Sequence, residues 1–84
     1  MKNEDLVAQL YLCLAECLDC RDKCSGEKEH HDLLRCMMLD EDCAGICRLT
    51  ATALERNSEN AELFLKLCAE ICEKCAAECE KHSE

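Results

Sequence analysis

The amino-acid sequence predicts an all-α protein, an antiparallel bundle of three long helices that forms a single domain over residues 1–84. Three observations support this fold class. The chain has no proline and only two glycines, and helix-forming residues dominate its composition. No segment alternates between apolar and polar residues as a β-strand does. One cysteine spacing recurs in three successive segments, which is typical of helices that share a common core.

Helix 1 is predicted over about residues 4–25. Asn3 is a favourable N-cap residue, and the two acidic residues that follow it place negative charge where the helix dipole favours it. The pair Ser25 and Gly26 is typical of a helix end, because glycine adopts the left-handed conformation that terminates many helices.

Helix 2 is predicted over about residues 29–56 and helix 3 over about residues 59–81. Asn57 and Ser58 form the turn between them, with Ser58 as the N-cap of helix 3. Acidic residues in the following turn favour the same boundary, because their charge complements the dipole at a helix N-terminus.

The cysteines form one repeated pattern within these helices. Helix 1 carries the spacing C-x3-C-x2-C-x3-C at Cys13, Cys17, Cys20 and Cys24, and helix 3 repeats it at Cys68, Cys72, Cys75 and Cys79. Helix 2 has Cys36, Cys43 and Cys47, with Asp40 at the remaining position of the template. At about 100° per residue, the four positions lie within a stripe about 60° wide and about 16 Å long. The sequence therefore predicts a bundle whose core is lined with cysteine.

An antiparallel pairing of helices 2 and 3 about the Asn57–Ser58 turn brings the two stripes into register. The opposed pairs are Cys47 with Cys68, Cys43 with Cys72, Asp40 with Cys75, and Cys36 with Cys79. Helix 1 registers with helix 2 in the same way if the first turn centres near His30.

Apolar residues continue the three stripes toward the other end of the bundle. They are Leu6, Leu10, Thr50, Ala51, Leu54, Ala61, Phe64 and Leu65. We therefore expect one half of the bundle to have an ordinary core that folds without metal. The sulfur half ends at an open mouth near Cys24, Cys36 and Cys79.

Eleven thiols on three matched stripes indicate metal ligands rather than disulfides or simple packing. Neighbouring cysteines on one helix face point alongside each other, so bridging them strains the bond or the helix. The odd number leaves one thiol unpaired, and the N-terminus lacks the apolar run of a signal peptide, which predicts a reducing cytoplasmic location. Alanine or leucine would fill a core better than cysteine and without the risk of oxidation.

Among metals, Cu(I) suits this ligand set best. An all-thiolate lining selects Cu(I), zinc or iron–sulfur clusters over hard cations. A zinc site from Cys17-x2-Cys20 with Cys72-x2-Cys75 leaves seven thiols without a role, and a single four-iron cluster leaves the same surplus. Cu(I) accepts two or three sulfur ligands, and about one ion per thiolate neutralises the core. A core holding several Cu(I) ions predicts a storage protein and not an enzyme.

Four other residues have candidate roles near the metal. His82 continues the helix 3 stripe at the mouth and is a candidate point at which copper enters; an exposed histidine with no role fits the sequence equally well. Asp40 is a candidate second-shell residue that ends a metal row or hydrogen-bonds neighbouring thiols, because carboxylate is a poor Cu(I) ligand. His30 and His31 fall in or near the first turn and are expected to face solvent, with contact to metal at an entry site as the alternative.

The formal charge of −9 argues against nucleic acid and anionic membrane surfaces as partners. No stretch approaches the roughly 20 apolar residues that a membrane span needs. Two other functions remain consistent with the sequence. One is a single iron–sulfur cluster or zinc module for electron transfer or sensing, and the other is a thiol buffer or interaction module without metal. The number of metal ions per chain separates these alternatives.

With these motifs, the chain resembles the cysteine-rich four-helix-bundle copper-storage proteins, in particular their cytosolic bacterial branch. The resemblance rests on Cys13-x3-Cys17-x2-Cys20-x3-Cys24 and on the segments 35–49 and 68–82. It implies Cu(I) storage inside the bundle, with the eleven cysteines as ligands. Members of the family continue into a fourth cysteine-bearing helix, whereas this sequence stops at Glu84.

A partner subunit is expected to complete the bundle. Helix 1 has a second apolar stripe that a three-helix monomer would leave facing water, formed by Val7, Tyr11, Leu14 and Leu18. Helix 2 carries Leu34, Met38 and Leu49 on its outer side, with Gly45 allowing close approach. These surfaces predict a homo-oligomer, a twofold dimer or alternatively a tetramer.

Overall fold

The computed structural model describes residues 3–25 and 33–81, and all regular structure within them is helical. Helix α1 spans Glu4–Ser25, α2 spans Leu34–Glu55 and α3 spans Ala61–Glu80. The predicted all-α class is confirmed. The predicted start of helix 2 near Glu29 and the first turn near His30 lie outside the described residues. Within the described ranges, none of the helices is long and apolar enough to cross a membrane.

The turn after α2 is a Schellman-type helix end. Asn57 has a φ of 56°, in the left-handed region that asparagine tolerates better than most residues. The backbone N–H of Ser58 donates to the carbonyl of Ala53 at 2.8 Å, and that of Asn57 donates to the carbonyl of Leu54 at 3.2 Å. These bonds satisfy carbonyls at the end of α2 while the chain reverses toward α3.

Helix α3 begins at Ala61, later than predicted, and its N-cap residue is Asn60 rather than Ser58. The Ser58 hydroxyl oxygen still accepts a hydrogen bond from the backbone N–H of Asn60 at 3.1 Å. The Ser58 carbonyl accepts one from the N–H of Ala61 at 3.2 Å. Ser58 therefore caps a short opening turn that precedes the α-helix.

The predicted apolar half of the core is present. Its buried members are Leu10, Thr50, Ala51 and Leu54, and Leu6, Ala61 and Leu65 pack against them. The fully buried hydroxyl of Thr50 donates to the carbonyl of Phe64 at 3.4 Å, which satisfies the one polar group of this layer and joins α2 to α3.

Helix α2 occupies the centre of the bundle, and α1 and α3 each pack against it. Among the described residues, no Cα atom of α1 lies within 8 Å of one of α3. Ion pairs connect the outer helices to α2: Arg21 with Glu41 at 2.7 Å, and Arg35 with Glu78 at 2.5 Å. The expected enclosed tube is therefore an open cleft, bounded by α1 and α3 with α2 as its floor.

The prediction that the second apolar stripe of α1 faces water was wrong for most of its members. Val7, Leu14 and Leu18 are half-buried and pack against the core. Only Tyr11 is exposed, at 39%, and its hydroxyl donates to Glu55 Oε1 at 2.9 Å. The reason is that the backbone of α1 packs closely against α2 and not against α3, so the side of α1 beside its cysteine stripe is the side that meets α2.

The outer side of α2 is exposed, as the sequence predicts. Leu34 is 52% exposed, Met38 60% and Leu49 40%. Gly45 lies on the same side, and a Cβ atom added there would meet no atom within 4 Å. The described part of the chain itself therefore makes no close approach to Gly45.

Candidate metal centre

The side chains of α2 and α3 meet in the predicted register. The sulfur–sulfur distances are 3.8 Å for Cys47–Cys68, 2.9 Å for Cys43–Cys72 and 3.1 Å for Cys36–Cys79, and Cys75 Sγ lies 2.9 Å from Asp40 Oδ1. This register is confirmed. It follows from one cysteine spacing repeated on both sides of the Asn57–Ser58 turn, because an antiparallel hairpin then sets equivalent positions opposite each other.

Helix α1 adds its four thiols to the same ladder. The contacting pairs between α1 and α2 are Cys24–Cys36, Cys20–Asp40 and Cys17–Cys43. Cys13 also reaches across the cleft, with its sulfur 4.0 Å from that of Cys72. All eleven cysteines are free thiols. The structure therefore brings every predicted cysteine to one side of α2.

Hydrogen-bonded thiol pairs in the described ranges fall into two groups. The inner group is Cys13, Cys17, Cys43, Cys47, Cys68 and Cys72, and it includes Cys75 because its sulfur lies within 4.8 Å of those of Cys17 and Cys43. The mouth group is Cys20, Cys24, Cys36 and Cys79, in which Cys20 and Cys79 lie 3.6 Å apart. Within residues 3–25 and 33–81, none of these thiol–thiol hydrogen bonds joins one group to the other.

Asp40 separates the two groups. Its side chain is 1% exposed and accepts hydrogen bonds from thiols on both sides. Oδ1 faces Cys75 of the inner group at 2.9 Å and Cys79 of the mouth group at 3.7 Å, while Oδ2 lies 4.0 Å from Cys36. The predicted hydrogen bonding of Asp40 to neighbouring thiols is confirmed. A carboxylate thus interrupts the line of sulfur where the repeat would place a cysteine.

The cleft between α1 and α3 gives access to both groups. Its volume is about 270 Å³, and its walls include seven core cysteines, Asp40, Glu16 and Ala76. Glu16 and Ala76 were not predicted as part of the site. Their spacing could have indicated them. Glu16 lies four residues before Cys20 and Ala76 directly follows Cys75, so both border the cysteine face of their helix.

Burial raises the pKa of these thiols. The pKa of Cys17 and that of Cys72 rise from the ordinary 9.0 to about 11, chiefly because desolvation disfavours the thiolate. Desolvation also raises the pKa of Cys20, Cys36, Cys43, Cys47 and Cys75. These thiols are therefore protonated at neutral pH, and a metal ion must displace their protons to bind.

The raised pKa values predict that the metal-free bundle loses stability at high pH. The unfolded chain releases thiol protons near pH 9.0, whereas the folded thiols retain them until about pH 11. Their contribution is therefore complete below the unfolded pKa and is lost as the pH rises through the folded one. Urea denaturation of reduced, metal-free protein at a series of alkaline pH values measures this. A free energy of unfolding that rises over that window contradicts the prediction.

Several sets of donor atoms in the described residues lie close enough together to bind a metal ion. Cys13, Cys43, Cys47 and Cys72 form one set of four donors, and Cys20, Cys24, Cys36 and Asp40 form another, each with all donors within 4.8 Å of one another. The zinc set suggested by the spacing, Cys17, Cys20, Cys72 and Cys75, is not among the gathered sets of the described ranges. The register explains this, because Asp40 and not a thiol lies between Cys20 and Cys75.

The candidate residues His30, His31 and His82 lie outside the described residues. Cys79, the cysteine nearest to His82 in sequence, belongs to the mouth group, where its sulfur lies 3.1 Å from that of Cys36.

Comparison with known proteins identifies the family. The family model described as "Copper storage protein" matches residues 1–84. The chain belongs to the copper storage protein family. Among solved structures, the "Cu(I)-bound Copper Storage Protein BsCsp3" is similar with a TM-score of 0.93 and 36% sequence identity, covering 100% of this chain and 79% of that one.

A curated relative of this copper storage family member is the "Uncharacterized cysteine-rich protein YhjQ" of Bacillus subtilis (strain 168). It is 41% identical over 70 residues, which cover 83% of this chain and 65% of the relative. The match therefore spans about two thirds of the relative's length. The resemblance predicted from the cysteine motifs is confirmed, and the helical bundle of the similar solved structure agrees with the three-helix arrangement described above.

Proposed function

We propose that this member of the copper storage family sequesters several Cu(I) ions per chain in the cytosol, through its core thiolates and without enzymatic activity. The observation that carries the proposal is the density of reduced thiols on one side of α2. All eleven cysteines are free, and seven of them form an inner group whose donor sets, within the described residues, contain no oxygen or nitrogen donor other than Asp40 at its edge. Soft, low-coordinate Cu(I) is the ion that such a set favours.

The acid–base chemistry of the site fits an uptake in which protons leave as copper arrives. Each thiol that binds exchanges a proton for a share of a Cu(I) charge, so the buried core stays near neutrality. This exchange offsets the desolvation that raises the pKa of Cys17 and Cys72. A cytosolic location supports the same chemistry, because a reducing compartment keeps the thiols available.

Anaerobic titration of the reduced, metal-free protein with Cu(I), against a competing chelator of known affinity, tests the proposal. We expect several Cu(I) ions per chain to be withheld from the chelator, with no visible colour. One ion per chain contradicts storage and favours a single-site zinc or sensor module. A coloured iron–sulfur cluster after reconstitution favours the electron-transfer alternative, and no binding favours a metal-free thiol module.

We also propose that the chain acts as a homo-oligomer, most simply a twofold dimer in which the outer sides of α2 meet. The exposed side chains of Leu34, Met38 and Leu49 lie on the same side of α2 as Gly45. A Cβ atom added at Gly45 would meet no other atom within 4 Å, so a partner can approach the backbone closely there. Burying each apolar side chain contributes about 1.5–3 kcal/mol before the costs of association are subtracted. A second copy supplies the same stripe, as an isologous interface requires.

Light scattering at micromolar concentration tests this assembly. We expect the wild type to have a mass of two chains, or of four if a second interface forms. Met38→Glu with Leu49→Glu is expected to yield a monomer, because two carboxylates would be buried without partners. Leu63→Glu, on the exposed side of α3, is the matched control and should leave the mass unchanged. A wild-type mass of one chain rules the assembly out.

A further inference from the structure

The mouth set formed by Cys20, Cys24, Cys36 and Asp40 differs chemically from the rest of the core. It has three sulfur donors and one carboxylate oxygen, all four within 4.8 Å of one another. Zinc binds thiolate and carboxylate ligands together in four-coordinate sites. A carboxylate oxygen is a poor ligand for Cu(I), so this set suits a borderline divalent ion better than the stored ion.

The separations in this set are close to those of a zinc tetrahedron. A Zn–S bond of about 2.3 Å implies about 3.8 Å between two sulfur ligands, and the shorter Zn–O bond reduces the sulfur–oxygen edge slightly. Cys24 Sγ lies 4.0 Å from Cys36 Sγ, which lies 4.0 Å from Asp40 Oδ2. Two donors, residues 20 and 24, lie one helical turn apart on α1, and the other two, residues 36 and 40, lie one helical turn apart on α2. Small side-chain adjustments therefore close the set around one ion.

The second carboxylate oxygen of Asp40 is already held by a neighbour. Cys75 Sγ donates to Oδ1 at 2.9 Å, while Oδ2 is the oxygen that faces Cys36. A hydrogen bond to the non-ligating oxygen orients a carboxylate ligand in the way that outer-shell partners do at metal sites. Asp40 is thus positioned with one oxygen anchored by Cys75 and the other facing Cys36, one of the three thiols of the set.

The four-donor set of the inner group, Cys13, Cys43, Cys47 and Cys72, differs from the mouth set because all of its donors are sulfur. Its sulfurs are shared, since Cys72 contacts Cys13 at 4.0 Å, Cys43 at 2.9 Å, and both Cys47 and Cys68 at 3.8 Å. The separation of 2.9 Å is also much shorter than the edge of a zinc–thiolate tetrahedron. Shared, crowded sulfurs favour several low-coordinate ions over one tetrahedral ion.

We propose that Cys20, Cys24, Cys36 and Asp40 form a distinct site for one divalent ion of the zinc class at the mouth of the bundle, separate from the inner thiols. The site does not depend on the proposed copper storage, because a divalent ion is bound by its own four donors. Its occupation joins α1 to α2 at this end of the bundle.

Titration of the reduced, metal-free full chain with Co²⁺, followed by displacement with Zn²⁺, tests this site under anaerobic conditions. One Co²⁺ per chain should bind with the visible absorption of tetrahedral cobalt and a thiolate charge-transfer band, and one Zn²⁺ should abolish both. Asp40→Asn and Cys24→Ser should each weaken binding at least about tenfold. Cys13→Ser, a matched thiol of α1 in the inner group, should leave affinity unchanged.

The variant Asp40→Cys distinguishes the loss of a metal ligand from the loss of the fold. Asp40→Cys completes the cysteine repeat, so it should retain the tetrahedral spectrum with a stronger charge-transfer band from four thiolates; circular dichroism checks the helix content of each variant. Three results would each overturn the site. The first is a spectrum of octahedral cobalt alone, and the second is a Co²⁺ affinity of Asp40→Asn equal to that of the wild type. The third is Co²⁺ binding that is lost in Cys13→Ser but kept in Cys24→Ser. Failure of Cu(I) loading in the separate chelator titration would reject copper storage and leave the cobalt result standing.

Discussion

Replacing Cys17, Cys43 and Cys72 with serine is expected to remove about three or more Cu(I) ions from the capacity of the protein, because serine is not a ligand for this soft ion. The three thiols come from three helices and occupy adjacent positions of the inner group, where Cys43 and Cys72 lie 2.9 Å apart. Their loss removes ligands that neighbouring ions share. Helix content should remain nearly intact, because the aliphatic half of the core is untouched.

The measurement is the chelator-competed Cu(I) titration, accompanied by far-UV circular dichroism of the metal-free variant. Met37→Leu with Met38→Leu is the matched control, because it removes two other sulfur atoms of α2 and leaves every thiol in place. This control should bind as much Cu(I) as the wild type. If the triple serine variant keeps the full capacity, the copper is not bound in the core.

Copper loading is expected to raise the thermal midpoint of unfolding by tens of degrees while adding little helix. A ligand at about a thousand times its dissociation constant stabilises the folded state by about 4 kcal/mol, and several sites add to this. For a domain of this size, each 1 kcal/mol corresponds to about 4–8 °C. The metal-free chain should already be helical, because Leu10, Ala51 and Leu54 bury an apolar core without any thiol.

Thermal melts of the reduced protein with and without Cu(I), followed by circular dichroism, measure this effect. Leu54→Ala provides a contrast, since it should lower the midpoint of both forms by a similar amount through a cavity far from the metal, at about 2–5 kcal/mol. A metal-free protein that is a random coil contradicts the expectation and indicates a fold that metal nucleates.

Sequence periodicity alone determined the helices and the ladder between α2 and α3. The helix period places the cysteines of each segment on one stripe, and the turn at Asn57 and Ser58 leaves an antiparallel hairpin only one register that pairs like positions. The contacts of Cys36 with Cys79 and of Cys43 with Cys72 were therefore predictable before any coordinates. The hydrogen-bonding role of Asp40 was predictable for the same reason, because the template gives it a cysteine position.

Only the tertiary structure decided how the stripes are arranged around one another. Periodicity defines the face of a helix but not the angle at which a neighbour packs beside that face. It therefore did not show that α1 and α3 both pack on α2 and leave a cleft between them. For the same reason, Leu14 and Leu18 were assigned to water although they pack against the core. The division of the thiols into two groups also required coordinates, because it depends on which sulfurs from three helices lie within contact distance of Asp40 and of each other.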